Sequence, residues 1–132
     1  MSEKKPVHVE KIPVRWGDMD AMGHVNNTIY FRFMEQTRIS WFEALLPRGE
    51  AWGTTGIVIA NASCNFKKAI NYPNTVEIRM YAGPPGASSL PTFYELFVQE
   101  QIAADGAATI VFIDMKTQKS KRIPDNLRAL IA

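Results

Sequence analysis

One long amphipathic helix constrains the fold of this chain more than any other feature of its sequence. Between Asn26 and Leu46, mostly apolar residues recur at the spacing of one helical face: Tyr30, Phe33, Met34, Thr37, Trp41 and Leu45. Asn26 and Asn27 are good N-cap residues, and Pro47 and Gly49 follow the predicted end. A helix of about 19 residues is about 30 Å long. In a chain of 132 residues it must lie across a large apolar surface.

The rest of the sequence is dominated by strand patterns, predicted at residues 7–16, 56–68, 75–82, 90–103 and 107–116. Pro13 has no backbone N–H, which places the first strand at an edge or a bulge. Asp105-Gly106 predicts a hairpin between the last two strands. Pro124-Asp125 predicts a short terminal helix. The order favours an α+β fold in which the last four strands form an antiparallel meander and the helix covers one face.

Alternation along the second predicted strand assigns its side chains to two faces. One face carries Ile57, Ile59, Asn61, Ser63 and Asn65. The other is apolar and carries Cys64, which we expect to be a buried structural thiol rather than a nucleophile.

Composition narrows the class of protein. A length of 132 residues predicts a single domain over 1–132. With 46% hydrophobic and 21% charged residues, intrinsic disorder is excluded, and one cysteine excludes an internal disulfide. A net charge of +2, carried by scattered basic residues, argues against nucleic-acid binding. No signal peptide or apolar span is visible, so we expect a soluble, cytoplasmic protein.

The stretch before the helix carries the candidate chemistry. Asp20 lies a few residues before a helix N-terminus, where backbone N–H groups are free and partly positive. Such amides stabilise negative charge on a thioester carbonyl oxygen, while a nearby carboxylate attacks the carbonyl carbon or activates a water. On spacing alone the structural alternative is favoured, in which Asp18 and Asp20 only stabilise a turn.

The stretch from residue 16 to residue 30 resembles the signature of the 4-hydroxybenzoyl-CoA thioesterase family. In that family D-x-D-x-x-G is followed by a short polar run and a long helix with an early tyrosine. The matching residues are Asp18, Asp20, Gly23, Asn26, Asn27 and Tyr30. Weaker similarities follow at residues 66, 72–78, 88–90, 111–114 and 123–124, so the resemblance covers nearly the whole chain. It implies a hotdog fold, a five-stranded antiparallel sheet wrapped around one central helix, with a short C-terminal helix.

The resemblance also implies an activity, the hydrolysis of acyl-CoA thioesters without a resident cofactor, since coenzyme A is part of the substrate. Asp20 matches the family's catalytic aspartate, as nucleophile or as general base, and the backbone N–H of Asn27 matches the group that polarises the carbonyl. Asp18 matches a structural position. His24 has two interpretations, a second catalytic group beside Asp20 or a turn residue whose ring bonds backbone.

Further residues are expected to border the substrate: Gly23, Asn26, Tyr30, Thr54, Thr55, Asn61 and Ser63. For Tyr30 a packing role is favoured. The resemblance implies that two sheets pair edge to edge in a homodimer, often within a homotetramer, with the acyl pocket at the seam. We place Asn61 and Ser63 at that seam, and Thr54 and Thr55 beside the neighbouring subunit's pocket.

The sequence departs from the family at the coenzyme. The loop over residues 83–89 has no lysine or arginine, whereas the best-known branch carries a basic run there for the phosphates. Other cations are available at Lys67, Lys68, Lys119, Lys121 and Arg122. An acyl-carrier-protein thioester therefore stays open as the substrate.

Two alternative functions remain at this stage. A non-catalytic acyl-thioester sensor would keep the fold and the pocket without turnover. A hotdog dehydratase or hydratase is disfavoured, because the helix carries Glu35 but no histidine. No cluster of His, Cys and carboxylate residues has metal-ligand spacing, so we expect no metal.

Overall fold

The computed structural model of this chain describes residues 5–45 and 53–131. One five-stranded antiparallel sheet wraps around a 19-residue helix. The elements, in chain order, are β1 (His8–Pro13), a 3-10 turn (Trp16–Asp18), α1 (Asn27–Leu45), β2 (Thr55–Phe66), β3 (Thr75–Ala82), β4 (Ser89–Val98), β5 (Gln101–Asp114) and α2 (Asp125–Ile131). The predicted hotdog architecture, the long helix and the short terminal helix are confirmed.

The strand order is β1-β3-β4-β5-β2. β1 lies at an edge, as Pro13 predicted. The predicted meander is correct for β3, β4 and β5 but wrong for β2, which pairs with β5 at the opposite edge. The helix explains this placement. Because β1 already pairs with β3, and α1 crosses the sheet in contact with both β1 and β2, the chain reaches the far edge before β2 begins.

The predicted hairpin at Asp105-Gly106 is wrong. The turn between β4 and β5 lies at Gln99 and Glu100, which have positive φ angles of 51° and 66°. Both central residues of a two-residue hairpin turn commonly adopt this left-handed conformation. Gly106 lies inside β5 for another reason, since a Cβ there would stand 2.5 Å from the Met34 sulfur. Glycine in a strand often marks such a close approach.

A β-bulge between Ile59 and Asn61 shifts the register of β2. Ile57 and Ile59 lie opposite the buried residues Phe112 and Ile110, so they belong to the helix side of the sheet. Asn61, beyond the bulge, lies opposite Thr109 on the outer side. The predicted face that joined Ile57 and Ile59 to Asn61 is therefore wrong, because one inserted residue inverts the alternation.

The core lies between α1 and the sheet. The helix buries a stripe made of Tyr30, Phe33, Met34, Thr37, Trp41 and Phe42. Alternate residues of three strands meet it: Val76, Ile78, Met80, Leu90, Leu96, Ile110 and Phe112. Each large apolar side chain buried in this way contributes about 1.5–3 kcal/mol. This packing fixes the N-terminus of α1 beside the end of β2. No helix in the described residues has the length and apolar character to cross a membrane.

Candidate active site

A tight loop leads into the N-terminus of α1. The backbone N–H of Asp20 donates to the carbonyl of His24 at 2.8 Å, and Met19 and Val25 form an antiparallel bridge. Gly23 closes the loop with φ +80°, a conformation that side chains other than glycine rarely adopt. Val25 N–H donates to the Ile70 carbonyl at 2.8 Å, which ties the loop to the segment between β2 and β3.

The Asp20 carboxylate is oriented through one of its two oxygens. Oδ1 accepts the backbone N–H groups of Met22 at 2.9 Å and His24 at 3.3 Å. Oδ2 accepts no hydrogen bond from any described residue. The side chain is exposed in the single chain and lines a cleft. One oxygen of this carboxylate is held, while the other is open to a bound molecule.

The first backbone amide of α1 is also open. Asn26 caps the helix, since its Oδ1 accepts the N–H of Thr28 at 2.9 Å and its carbonyl accepts the N–H of Ile29 at 2.9 Å. The N–H of Asn27 has no acceptor in the part of the chain that the structure describes. A free amide at the partly positive end of a 19-residue helix favours a negatively charged oxygen.

These two groups share one cleft of about 320 Å³. Its other wall comes from the end of β2 and the residues after it. The cleft is lined by Asp20, His24, Val25, Asn27, Tyr30, Phe66, Lys67, Lys68 and Ala69. One wall of the cleft, from the loop before α1, therefore carries the Asp20 carboxylate and polar groups. The opposite wall starts with the aromatic ring of Phe66.

Tyr30 and Phe66 form the apolar part of the cleft. Their rings meet edge to face, with centroids 4.8 Å apart. Tyr30 is 3% exposed, and burial raises the pKa of its hydroxyl, which lies 3.4 Å from the Lys68 carbonyl. At this length the contact is a weak hydrogen bond, so packing dominates the role of Tyr30.

The lysines at the rim already have partners. Lys67 pairs with Asp105 at 2.9 Å, and Lys68 donates to the side-chain oxygen of Gln101. Asp105 also accepts the side-chain amide of Asn65, and this bond together with Lys67 holds the pKa of Asp105 below its usual value. These contacts fix the rim of the cleft to the sheet.

Asp18 differs from Asp20 in every contact. It is 5% exposed and binds Arg15 through the backbone N–H at 2.9 Å and the guanidinium at 3.1 Å. Its own carbonyl accepts the N–H of Asn26 at 2.9 Å. These bonds make Asp18 a structural support for the turn into α1.

The cleft brings together four of the predicted site residues: Asp20, His24, Asn27 and Tyr30. Gly23 shapes the loop and Asn26 caps the helix, and neither lines the cleft. Three residues that line the cleft were not predicted from the sequence as site residues: Val25, Phe66 and Ala69. An aromatic residue at the end of β2, just before two lysines, was the available signal.

The other predicted substrate-binding residues lie outside the cleft of the same chain. Thr54 and Thr55 are at the opposite end of β2 from Phe66, and Thr55 accepts the ammonium of Lys121 at 2.7 Å. Asn61 and Ser63 are on the outer side of the sheet, where Asn61 accepts the hydroxyl of Thr109 at 3.2 Å.

Cys64 has the surroundings of a structural thiol. It is partly buried on the helix side of β2, opposite Gly106. Burial, with a smaller effect of Asp105, raises the pKa of Cys64 to about 11, so the thiol is protonated at neutral pH. Among the described residues, no three His, Cys, Asp or Glu side chains are grouped as metal ligands would be.

Known proteins are similar to this one in sequence and in architecture. Residues 14–131 match the model of the thioesterase-like superfamily. The long-chain acyl-CoA thioesterase FadM of Escherichia coli is 29% identical over 125 residues, which cover 89% of this chain and 92% of FadM.

Two solved structures support the same grouping. The PA2801 protein of Pseudomonas aeruginosa is 37% identical, with a TM-score of 0.87 over 97% of this chain and 100% of that one. The gentisyl-coenzyme A thioesterase BH1999 is 25% identical, with a TM-score of 0.85 over 94% of this chain and 99% of that one. The chain therefore belongs to the thioesterase-like superfamily and is a thioester hydrolase.

Proposed function

We propose that this protein hydrolyses acyl-CoA thioesters, with Asp20 as the reacting carboxylate and the backbone N–H of Asn27 as the group that polarises the carbonyl. One observation carries the proposal. Oδ2 of Asp20 and the backbone N–H of Asn27 form no hydrogen bond with a described residue, and both residues line the same cleft, where a thioester carbonyl can lie between them. The reaction needs no resident cofactor, because hydrolysis consumes only water and the thioester.

The chemistry follows one of two balanced routes. As a general base, Asp20 takes a proton from water, the hydroxide adds to the carbonyl carbon, and the intermediate expels the thiolate of coenzyme A, which takes up the proton. As a nucleophile, Asp20 adds to the carbon and expels the thiolate. Water then hydrolyses the resulting mixed anhydride to the acid and the free carboxylate of Asp20, and the remaining proton of that water neutralises the thiolate. In both routes the oxygen of the intermediate accepts the amide of Asn27, a contact typically worth a rate factor of about 10²–10³.

His24 has a supporting role in this proposal. Its backbone N–H fixes Oδ1 of Asp20, and the residue also lines the cleft. No hydrogen bond of its ring occurs within the described residues, so the ring is available to hold a water or the leaving thiolate. His24→Ala should lower kcat less than the loss of Asp20, because the orienting bond comes from the backbone.

Coenzyme A is the proposed acyl carrier, and the aromatic wall suits an apolar acyl group. FadM acts on long-chain acyl-CoA and BH1999 on gentisyl-CoA, according to their names. The substrate panel should therefore contain saturated acyl-CoA esters of increasing length together with aromatic esters, 4-hydroxybenzoyl-CoA among them. Acyl-carrier-protein thioesters of the same acyl groups test the alternative carrier.

The proposed active form is a dimer in which β2 pairs with β2 of a second copy. β2 is an edge strand of 12 residues, TGIVIANASCNF, with no charged residue and no proline. Val58 and Ile59 on it are 44% and 37% exposed. Edge strands of monomeric proteins are usually protected by charged side chains, prolines or bulges. β2 has only the bulge between Ile59 and Asn61, so most of its length is an uncharged edge that favours pairing. A homotetramer built from two such dimers stays within this proposal.

The test compares Asp20→Asn with Asp125→Asn, an exposed aspartate at the start of α2 that is remote from the cleft. Release of coenzyme A is followed with a thiol-reactive dye. We expect Asp20→Asn to lower kcat by a factor of about 10³, in the range typical of removing a base or nucleophile, and Asp125→Asn to leave it unchanged.

Undiminished hydrolysis by Asp20→Asn rejects the assignment of Asp20. A wild-type protein that binds acyl-CoA in calorimetry but leaves every thioester of the panel intact is a sensor, and the proposed function is then wrong.

A further inference from the structure

Arg38 is a buried charge that the proposed mechanism does not use. It lies in the middle of α1 and is 8% exposed. Its guanidinium forms no hydrogen bond or ion pair with a described residue, and Glu35, one turn earlier on the helix, is exposed and does not pair with it. An unpaired charge that is removed from water is costly, so a buried arginine usually has an anionic partner. No described residue supplies that partner.

Two neighbours on the helix locate Arg38 over the sheet. Met34 and Phe42 lie one turn before it and one turn after it on the same row of α1. Met34 packs on Gly106 of β5, and the ring of Phe42 meets the ring of Phe112 of β5 edge to face, with centroids 6.1 Å apart. β5 pairs with the edge strand β2 along this whole stretch. Arg38 therefore lies beside the middle of β2.

A strip of small side chains on the helix side of β2, here called the β2 strip, leads from the candidate active site toward Arg38. It begins after Phe66 and consists of Cys64 and Ala62, which pair with β5 residues on the side of the core. Asn27 and Arg38 belong to one face of α1, because eleven residues make about three helical turns. Ala62 is exposed in the single chain. The second copy in the proposed β2 pairing would close this open side.

The spacing along the helix sets the length of the group that can reach Arg38 from the cleft. The Cα atoms of Asn27 and Arg38 are separated by about 16 Å along the axis, at about 1.5 Å per residue. A long helical side chain points back over the preceding turn, which brings the guanidinium to about 11 Å from the Asn27 amide along the axis. A hydrogen bond of about 3 Å at each end leaves about 5–8 Å between the thioester carbonyl and the group that Arg38 binds.

We propose that Arg38 binds a carboxylate at the far end of the acyl group, so that the preferred substrates are coenzyme A thioesters of dicarboxylic acids. This inference rests on the proposed function, whose cleft holds the thioester. A guanidinium binds a carboxylate through two parallel hydrogen bonds, and the carboxylate supplies the negative charge that the buried arginine lacks. The methylene groups between the two ends lie against the apolar β2 strip. An adipyl chain has the length that this spacing requires.

The first experiment compares adipyl-CoA with hexanoyl-CoA, which has the same number of carbons and no distal carboxylate. Release of coenzyme A is followed with a thiol-reactive dye, and the uncatalysed rate is subtracted. We expect the wild-type kcat/KM for adipyl-CoA to exceed that for hexanoyl-CoA by a factor of about 10–100, the range of hydrogen bonds to a charged group. Arg38→Met keeps an apolar stem at this position, so it should abolish the preference and leave kcat/KM for hexanoyl-CoA unchanged.

Two further variants separate recognition of the carboxylate from a structural role of Arg38. Arg32→Met removes an exposed arginine of the same helix, and it should keep the wild-type preference. Arg38→Lys retains the charge without the planar pair of donors, and its preference should lie between those of wild type and Arg38→Met. Arg38→Met should not lower the midpoint of thermal unfolding, because it removes a buried charge that has no partner in the ligand-free protein.

The outcomes distinguish this inference from the proposed function. If wild type hydrolyses neither ester nor any other thioester of the panel, the proposed function is wrong and the inference falls with it. If wild type hydrolyses hexanoyl-CoA at least as well as adipyl-CoA, or if Arg38→Met still prefers adipyl-CoA, the carboxylate site is wrong while the proposed function stands. The carboxylate site is also wrong if Arg38→Met loses stability and, in sedimentation, its association, because Arg38 then pairs with a carboxylate of the second copy.

Discussion

Substituting Gly106 with alanine tests a close approach between α1 and the sheet. Its Cβ would lie 2.5 Å from the sulfur of Met34 and 2.8 Å from the carbonyl oxygen of Ser63. Met34 is 1% exposed, so its side chain has little room to move. The Ser63 oxygen belongs to the backbone of β2, and it moves only if the strand moves.

The expected cost is worked from these two contacts. Overpacking of a close-packed core costs about 1–3 kcal/mol. Replacing glycine by alanine also stiffens the unfolded chain, which offsets about 0.4–1 kcal/mol. We therefore expect Gly106→Ala to lower the free energy of unfolding by about 1–2 kcal/mol. Gly53→Ala is the matched control, because no atom of a described residue lies within 4 Å of a Cβ at that position.

The assay is urea unfolding at one fixed protomer concentration, since any association makes stability depend on concentration. Met34→Ala alone should cost about 2–5 kcal/mol through the cavity it leaves. In the double variant with Gly106→Ala the loss should be smaller than the sum of the two, because truncation of Met34 removes one of the two clashes. An unfolding free energy of Gly106→Ala equal to that of Gly53→Ala, or strictly additive losses, would refute the packing argument.

Three further predictions concern the loop before α1, the aromatic wall of the cleft and the thiol of Cys64. Gly23→Ala places a side chain at φ +80°, so kcat should fall several-fold and the free energy of unfolding by about 1 kcal/mol. Gly17→Ala is the control, because a Cβ there meets open space, and it should change neither quantity. Steady-state kinetics and thermal unfolding measure the two effects. Tyr30→Phe should keep kcat within about twofold, because its hydroxyl makes only a weak bond, while Tyr30→Ala loses the contact with Phe66 and about 3–5 kcal/mol of stability in urea. Because the raised pKa of Cys64 leaves little thiolate, its alkylation by iodoacetamide at pH 8 should be roughly a hundredfold slower in the native protein than in urea. The native rate should increase as the pH rises toward 11. A native rate equal to the rate in urea contradicts the raised pKa.

The features predicted correctly from the sequence are those with local signals. The helix was visible because its apolar stripe, its Asn26 cap and the proline after it are all encoded within a short window. Pro13 located the edge strand through one missing N–H. Four of the predicted site residues line one cleft, and they lie in a single stretch from Asp20 to Tyr30; their roles stay predictions.

The features that were missed depend on contacts between distant segments. The Asp105-Gly106 pair has the sequence of a turn. Position 106 is a glycine because a Cβ there would clash with the side chain of Met34 on the helix. Gln99 and Glu100 adopt left-handed angles without the asparagine or glycine that usually marks such a turn. Phe66 enters the cleft only because β2 lies at the far edge of the sheet, and no local sequence pattern indicates that placement.

The site itself combines one reactive side chain with a frame made of backbone. Both bonds that orient Asp20 come from main-chain N–H groups, of Met22 and His24, and the proposed polarising group is the main-chain N–H of Asn27. These two bonds orient one carboxylate oxygen, while the other accepts no hydrogen bond from a described residue. Substituting the side chains of Met22 or Asn27 therefore leaves these bonds in place, whereas a change of backbone angle at Gly23 moves them. Substitutions at Asp20 and Gly23 should consequently lower kcat more than substitutions elsewhere in the loop before α1. A site built from several reactive side chains behaves differently, because each of them is essential.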